Sequence, residues 1–222
     1  MRKIFLCLAL LPTVFANTPA LAEPGDILIK LRPNYWIRSG ADKSTITLNG
    51  TAHSIAAQNS FGVEAAMDFF LTNELVAEVA LGGASLNQQA SDGSSFATSG
   101  QLAPTATLLY YPAQASAKVR PYFGGGISYV SLYSEKPGVL LTSQQDLPPA
   151  TYLVEFGRNV APVIQAGIDV SLNDRFYINL DAKYIITKYD INVSKNGNPL
   201  SVNSGKSKLN SVVLGVGIGS KF

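Results

Sequence analysis

The chain has 222 residues, of which 46% are hydrophobic, 9% aromatic and only 14% charged. An ordinary soluble domain carries roughly 25% charge, so the outside of this fold needs an explanation. Disorder is excluded, because its signature is low hydrophobicity with high net charge. A bundle of spanning helices is excluded too, since each helix needs ~20 consecutive apolar residues and the one long apolar run stands at the extreme N-terminus.

That run follows Arg2 and Lys3, extends from Ile4 to Ala16, and precedes a small-x-small site at Ala20-Leu21-Ala22. Residues 1–22 read as a cleaved Sec signal peptide and residues 23–222 as the exported domain. Cys7, the only cysteine, lies inside the signal, so the exported domain contains no disulfide. Loss of Arg2 and Lys3 lowers the 17 basic residues to 15, equal to the 15 acidic ones. A formally neutral chain offers no nucleic-acid surface.

The exported chain then alternates with period two between clusters of Gly, Asn, Pro and Ser. The first segment, Asp26 to Ile37, sets Ile27, Ile29, Leu31, Pro33, Tyr35 and Ile37 against Leu28, Lys30, Arg32, Asn34 and Trp36. The second, Ser60 to Leu71, sets Phe61, Val63, Ala65, Met67 and Phe69 against Gly62, Glu64, Ala66, Asp68 and Phe70. After a turn, the third sets Leu75, Ala77, Val79 and Leu81 against Val76, Glu78 and Ala80. The fourth sets Ala106, Leu108 and Tyr110 against Thr105, Thr107, Leu109 and Tyr111. The fifth sets Val119, Pro121, Phe123, Gly125, Ile127 and Tyr129 against Arg120, Tyr122, Gly124, Gly126 and Ser128. The sixth sets Ile164, Ala166, Ile168 and Val170 against Gln165, Gly167 and Asp169. The seventh sets Phe176, Ile178, Leu180, Ala182 and Tyr184 against Tyr177, Asn179, Asp181 and Lys183. The eighth sets Val212, Leu214, Val216, Ile218 and Phe222 against Ser211, Val213, Gly215, Gly217, Gly219 and Lys221.

Every charge inside these segments falls in one phase, and the opposite phase holds none. Half-buried soluble sheets also alternate, so the content of the charge-free phase decides. It is continuous and rimmed by aromatics: Phe69, Tyr110, Phe176 and Phe222 on one side, Tyr35, Phe61, Tyr129, Tyr133 and Tyr184 on the other. Aromatic girdles around an apolar band mark a transmembrane β-barrel, and a tilted spanning strand needs ~9–11 residues. Long connections (Ser39 to Asn59, Gly82 to Gln101, Ser134 to Ala161, Tyr189 to Lys206) alternate with short ones, as expected of long outer loops and short periplasmic turns. In lipid an open sheet edge leaves peptide groups unpaired, so the sheet must close. The expected fold is an all-β, eight-stranded antiparallel barrel in the outer membrane of a Gram-negative cell. Pro33 predicts a bulge and Pro104 the loop end of its strand, because each lacks a ladder donor.

Leu102 to Tyr111, followed by Val119 to Tyr129 with its Arg-Pro-Tyr-x-Gly-x-Gly-x-x-Tyr core, resembles the central hairpin of the OmpW family of small outer-membrane barrels. Gly167-Ile-Asp169, the Asn173-Asp174 turn, Gly215-Val-Gly217 and the terminal Phe222 also match. Gly25-Asp26 and Asn73 to Glu78 match more weakly, and Ser220 departs from a usual aromatic. The resemblance implies a binder or conduit for small hydrophobic molecules, with an apolar cavity at the outer end. It also implies that Phe222 resembles the signal read by the barrel assembly machinery. Candidate cavity residues are the apolar loop positions Leu86, Phe96, Val139, Leu140, Leu141, Leu147, Val154 and Phe156; they pack over the barrel mouth or line a cavity.

The inward polar set is Lys30, Arg32, Glu64, Asp68, Glu78, Arg120, Tyr122, Asp169, Asp181 and Lys183, with Lys221 at the periplasmic end. It either guides a solute or fills the interior as paired ions, since eight strands leave room only for side chains. Strand heights place Lys30 near Asp68, Arg32 near Glu64 or Glu78, and Arg120 near Asp169. The lone His53, beside Ser54, lacks the partners of a catalytic triad, and no metal set or cofactor is expected. The expected partners are membrane lipid and a hydrophobic solute, with the chain a monomer. The rival function is a non-transporting surface protein (antigen, adhesin or receptor) acting through its loops.

Overall fold

The computed structural model describes residues 23–39, 44–48, 51–142, 152–156, 159–189, 191–196, 198–199, 202–203, 207–208 and 210–222. The expected signal peptide and Leu147 lie outside them. Eight strands form the wall: β1 (Ile27–Ser39), β2 (Ser60–Phe70), β3 (Leu75–Ala90), β4 (Ser95–Tyr110), β5 (Val119–Pro137), β6 (Asn159–Ser171), β7 (Phe176–Ile185) and β8 (Asn210–Lys221). Each pairs antiparallel with its sequence neighbour, and β8 pairs back onto β1. The sheet closes, and every expected spanning segment falls on one of these strands to within one residue at its ends.

Paired positions run from Leu28 through Asp68, Glu78, Thr107, Gly126, Val163, Ile185 and Ser211, and return to β1 at Arg38, ten residues along. Such a stagger tilts the strands against the barrel axis. The outward phase is apolar and exposed in its middle, as at Leu31, Val79, Ile127 and Ile218. The girdle residues Phe69, Tyr110, Phe176, Phe222, Phe61, Tyr129 and Tyr133 all face outward.

The long connections carry strands of their own, and the second differs most from expectation. Gly82 to Gln101 is not a loop, because β3 runs on to Ala90 and β4 starts at Ser95. Beyond Leu81 the outward phase turns polar, with Ser85, Asn87 and Gln89, so the hairpin continues without the apolar pattern that marks a span. Pro104 therefore sits mid-strand opposite Leu81, not at a loop end. Pro33 makes no bulge: Pro33 pairs with Val63 in unbroken register, and the ladder to β8 skips Arg32 and Pro33 instead. A missing amide removes a local bond without demanding an extra residue.

True irregularities lie in the extended hairpin. Gln88 pairs with Ala97 but Gln89 with Ser95, so Phe96 is the extra residue. The bulge re-aims its side chain, and Phe96 and Ala97 are both buried. A second register shift sets Thr98 and Gly100 against Lys136 and Tyr133, where Ser134 has a φ of 53°.

Glycines in β5 to β8 make room rather than turns. A Cβ on Gly124 or Gly126 would strike the carbonyl of Leu108 or Ala106 on β4. On the lumen side, Tyr122 lies over Gly167, Arg32 over Gly217 and Tyr177 over Gly219, each where a Cβ would collide. The interior thus fills in three layers. Leu28, Phe70, Val76, Leu109, Tyr111, Tyr122 and Tyr177 pack at the short-turn end. A charged layer lies in the middle. A larger apolar cluster, including Trp36, Ile55, Leu86, Phe96, Val130, Leu132, Leu140 and Leu141, packs at the long-loop end.

Candidate functional site

The middle layer is built from side chains one or two steps apart on alternating lumen positions, so neighbouring strands bring opposite charges to one height. Lys30 Nζ lies 2.6 Å from Asp68 Oδ2 and 3.4 Å from Asp169 Oδ2. Arg32 Nη2 lies 2.9 Å from both Glu64 Oε1 and Glu78 Oε2, and its Nη1 3.2 Å from Asp181 Oδ2. Lys183 Nζ lies 2.7 Å from Glu64 Oε2 and 3.3 Å from Glu78 Oε1. Tyr122 donates to Asp181 at 2.6 Å. The expected Lys30–Asp68 and Arg32–Glu64/Glu78 proximities are present.

Arg120 differs. It pairs in register with Asp169, yet its Nη2 donates to the Asn73 carbonyl at 2.6 Å and its guanidinium lies 4.7 Å from the Tyr111 ring centre. Asp169 is occupied instead by Tyr111 at 2.8 Å, Asn179 at 2.6 Å and Lys30. Arg120 is the second residue of β5, beside the short turns, where a carbonyl and an aromatic face are within reach.

Neutral residues complete the network. Gln165 Nε2 donates to Glu78 Oε1 at 2.9 Å and to Asp181 Oδ2 at 2.8 Å, and its Oε1 accepts from Thr107 at 2.9 Å. Asn179 Nδ2 also donates to Tyr122 Oη at 3.1 Å. Lumen parity marks Thr107, Tyr111, Gln165 and Asn179, but without charge they carry no separate signal. Lys30, Arg32, Asp68, Glu78 and Lys183 are all at most 5% exposed, as are Gln165 and Asn179. Paired ions close the lumen at this height.

Above it, Leu86, Phe96, Leu140 and Leu141 are buried in the apolar layer. Leu140 and Leu141 belong to a single helical turn, α1 (Val139–Thr142), which packs beside β4 and β5 and buries both leucines in this layer. The Gly138 amide donates to the Phe96 carbonyl at 2.6 Å and holds that turn against β4. Val139, on the same turn, is 62% exposed and stands outside the apolar layer. Val154 and Phe156 belong to the strand Tyr152–Phe156, which pairs with Ile191–Lys195 in a sheet separate from the wall. His53 Nδ1 stands 4.0 Å from Asp92 Oδ2 in the outer hairpins. Ser94 donates to that carboxyl from its amide and its hydroxyl and holds it below its usual range. At the short-turn end, Lys221 Nζ lies 2.6 Å from Asp26 Oδ2. Phe222 and Ile27 exchange backbone hydrogen bonds, which zips the β1–β8 seam to its last residue.

A closed eight-stranded wall, apolar outside, girdled by aromatics and filled with paired ions, defines a small outer-membrane β-barrel. The family model of the OmpW family matches residues 23–222, and the chain belongs to that family. No curated protein matches it by sequence. Among solved structures, the outer membrane protein OprG from Pseudomonas aeruginosa is similar at 19% identity and a TM-score of 0.71, covering 91% of this chain and 99% of that one. AlkL in lipid bilayers is similar at 18% identity and a TM-score of 0.67, covering 100% and 97%. E. coli outer membrane protein W is similar at 17% identity and a TM-score of 0.52, covering 90% and 99%. At these identities the likeness establishes the fold.

Proposed function

We propose that this barrel takes up small hydrophobic molecules from the cell exterior into its outer apolar layer. The observation that carries this reading is the contrast in the lumen. The centre is closed by buried ion pairs, whereas the outer third is a continuous apolar cluster capped by the helical turn of Leu140 and Leu141. An apolar ligand can replace the contacts that Leu140 and Leu141 make there, since hydrophobic packing is non-directional. Nothing comparable can replace a buried carboxylate–guanidinium pair.

In this reading the chain is exported by a signal peptide cleaved after residue 22, inserted with Phe222 as the assembly signal, and works as a monomer without cofactor or catalysis. Liposomes holding the purified barrel should accumulate a neutral apolar dye faster than empty liposomes. Leu86→Glu, which places a charge in the apolar layer, should remove that advantage while heat-modifiable gel migration shows the barrel still folded. A barrel silent in both dye uptake and single-channel conductance would point to the surface-protein reading instead.

A further inference from the structure

The outer apolar layer is not wholly apolar, and its polar members lie along one wall. Arg38, the last described lumen-phase side chain of β1, crosses to the far strands. Its Nη1 donates to Gln101 Oε1 at 2.6 Å, its Nη2 to the Ser85 carbonyl at 3.4 Å, and its guanidinium lies 4.9 Å from the Trp36 ring centre. Gln101 and Ser99 share the lumen phase of β4, and in register they face Ala84 and Leu86 of β3, one step below Gln88. Ser99 and Gln88 are 3% and 6% exposed, and among the described residues neither Ser99 Oγ nor Gln88 Oε1 has a hydrogen-bond partner. Two buried polar atoms left unmatched in an apolar layer are costly, and such groups ask for a partner.

We infer that this wall is a head-group site, and that the molecule taken up is an amphiphile: an aliphatic chain ending in a carboxylate. The inference rests on the proposed uptake reading and narrows its substrate class. The guanidinium supplies a charge-assisted donor for the carboxylate. The Ser99 hydroxyl supplies a neutral donor beside it. The chain then lies among Leu86, Phe96, Leu140 and Leu141. A pure hydrocarbon would leave the Ser99 hydroxyl unmatched; a carboxylate would accept from it.

Trp36, the only tryptophan of the chain, stacks on the guanidinium and so reports on the site. The full barrel in lipid nanodiscs would be titrated at neutral pH with 2-bromodecanoate, whose bromine sits beside the carboxylate, with its methyl ester, and with 1-bromodecane. Quenching of Trp36 by the acid should require at least about tenfold less ligand than quenching by the ester or the bromoalkane, the range of a charge-assisted hydrogen bond. Arg38→Gln should erase the advantage of the acid and leave the two neutral ligands unchanged. The ester comparison uses the unmutated protein, so it holds even where that variant fails to fold. Equal quenching by all three ligands would overturn the head-group site and leave apolar uptake standing. No quenching by any of them would overturn both.

Discussion

The charged middle layer and the apolar outer layer occupy the same tube, are built by the same strands and obey the same alternation, yet they behave oppositely toward a guest. In the middle, the Arg32 guanidinium is held by fixed carboxylates and an amide: Glu64, Glu78, Asp181 and Asn179. Exchange there would strand charges in low dielectric. In the outer layer Leu86, Phe96 and Leu141 hold one another by area alone. The two layers show that a narrow barrel can be rigid at one height and exchangeable at the next by side-chain choice, with no change in the wall.

Mutations can break or sharpen that contrast. The largest effect is expected at Leu86→Glu, which should abolish apolar uptake in liposomes while folding survives. Arg32→Met should leave three carboxylates without their shared cation and lower unfolding free energy in urea by about 3–5 kcal/mol. If it costs less than 1 kcal/mol, the middle layer is not the rigid one. Gly219→Ala should cost about 1–3 kcal/mol in the same assay, because its methyl meets the Tyr177 ring. Lys221→Gln should cost at most about 1 kcal/mol, since its pair with Asp26 is partly solvated; a larger loss would mean that the seam depends on this pair.

Much of the wall was legible in the sequence because lipid enforces a strict phase. A charge in the outward phase of a span is prohibitive, so Lys30, Glu64, Glu78, Asp169 and Lys183 announce the lumen by position alone. That constraint ends where the strands leave the membrane. Gly82 to Ala90 has the composition of a loop but the pairing of a strand, and no apolar outward phase separates the two once the outer face turns polar. Phe96 drew attention as an apolar residue in an outer loop; parity sends it outward, and only the bulge turns it in. Arg120 shows the opposite limit. Its height was readable, but a long side chain chooses among partners within several ångströms, and the Asn73 carbonyl takes its Nη2 at 2.6 Å although Asp169 stands opposite in register. Gln165 and Asn179 bind the network together without the charge that would single them out.

The contacts that fill the lumen also constrain the order in which the barrel can form. Lys183 bonds Glu64 across 119 residues, Arg32 bonds Asn179 across 147, and Arg32 rests on Gly217 of the last strand. None of these can form until β8 meets β1, so a partly zipped barrel still has a wet, charged interior. Loops this long are entropically slow to close. Insertion should therefore have a single late kinetic step, the shutting of the β1–β8 seam, in which the interior loses its water as the wall gains its final ladder.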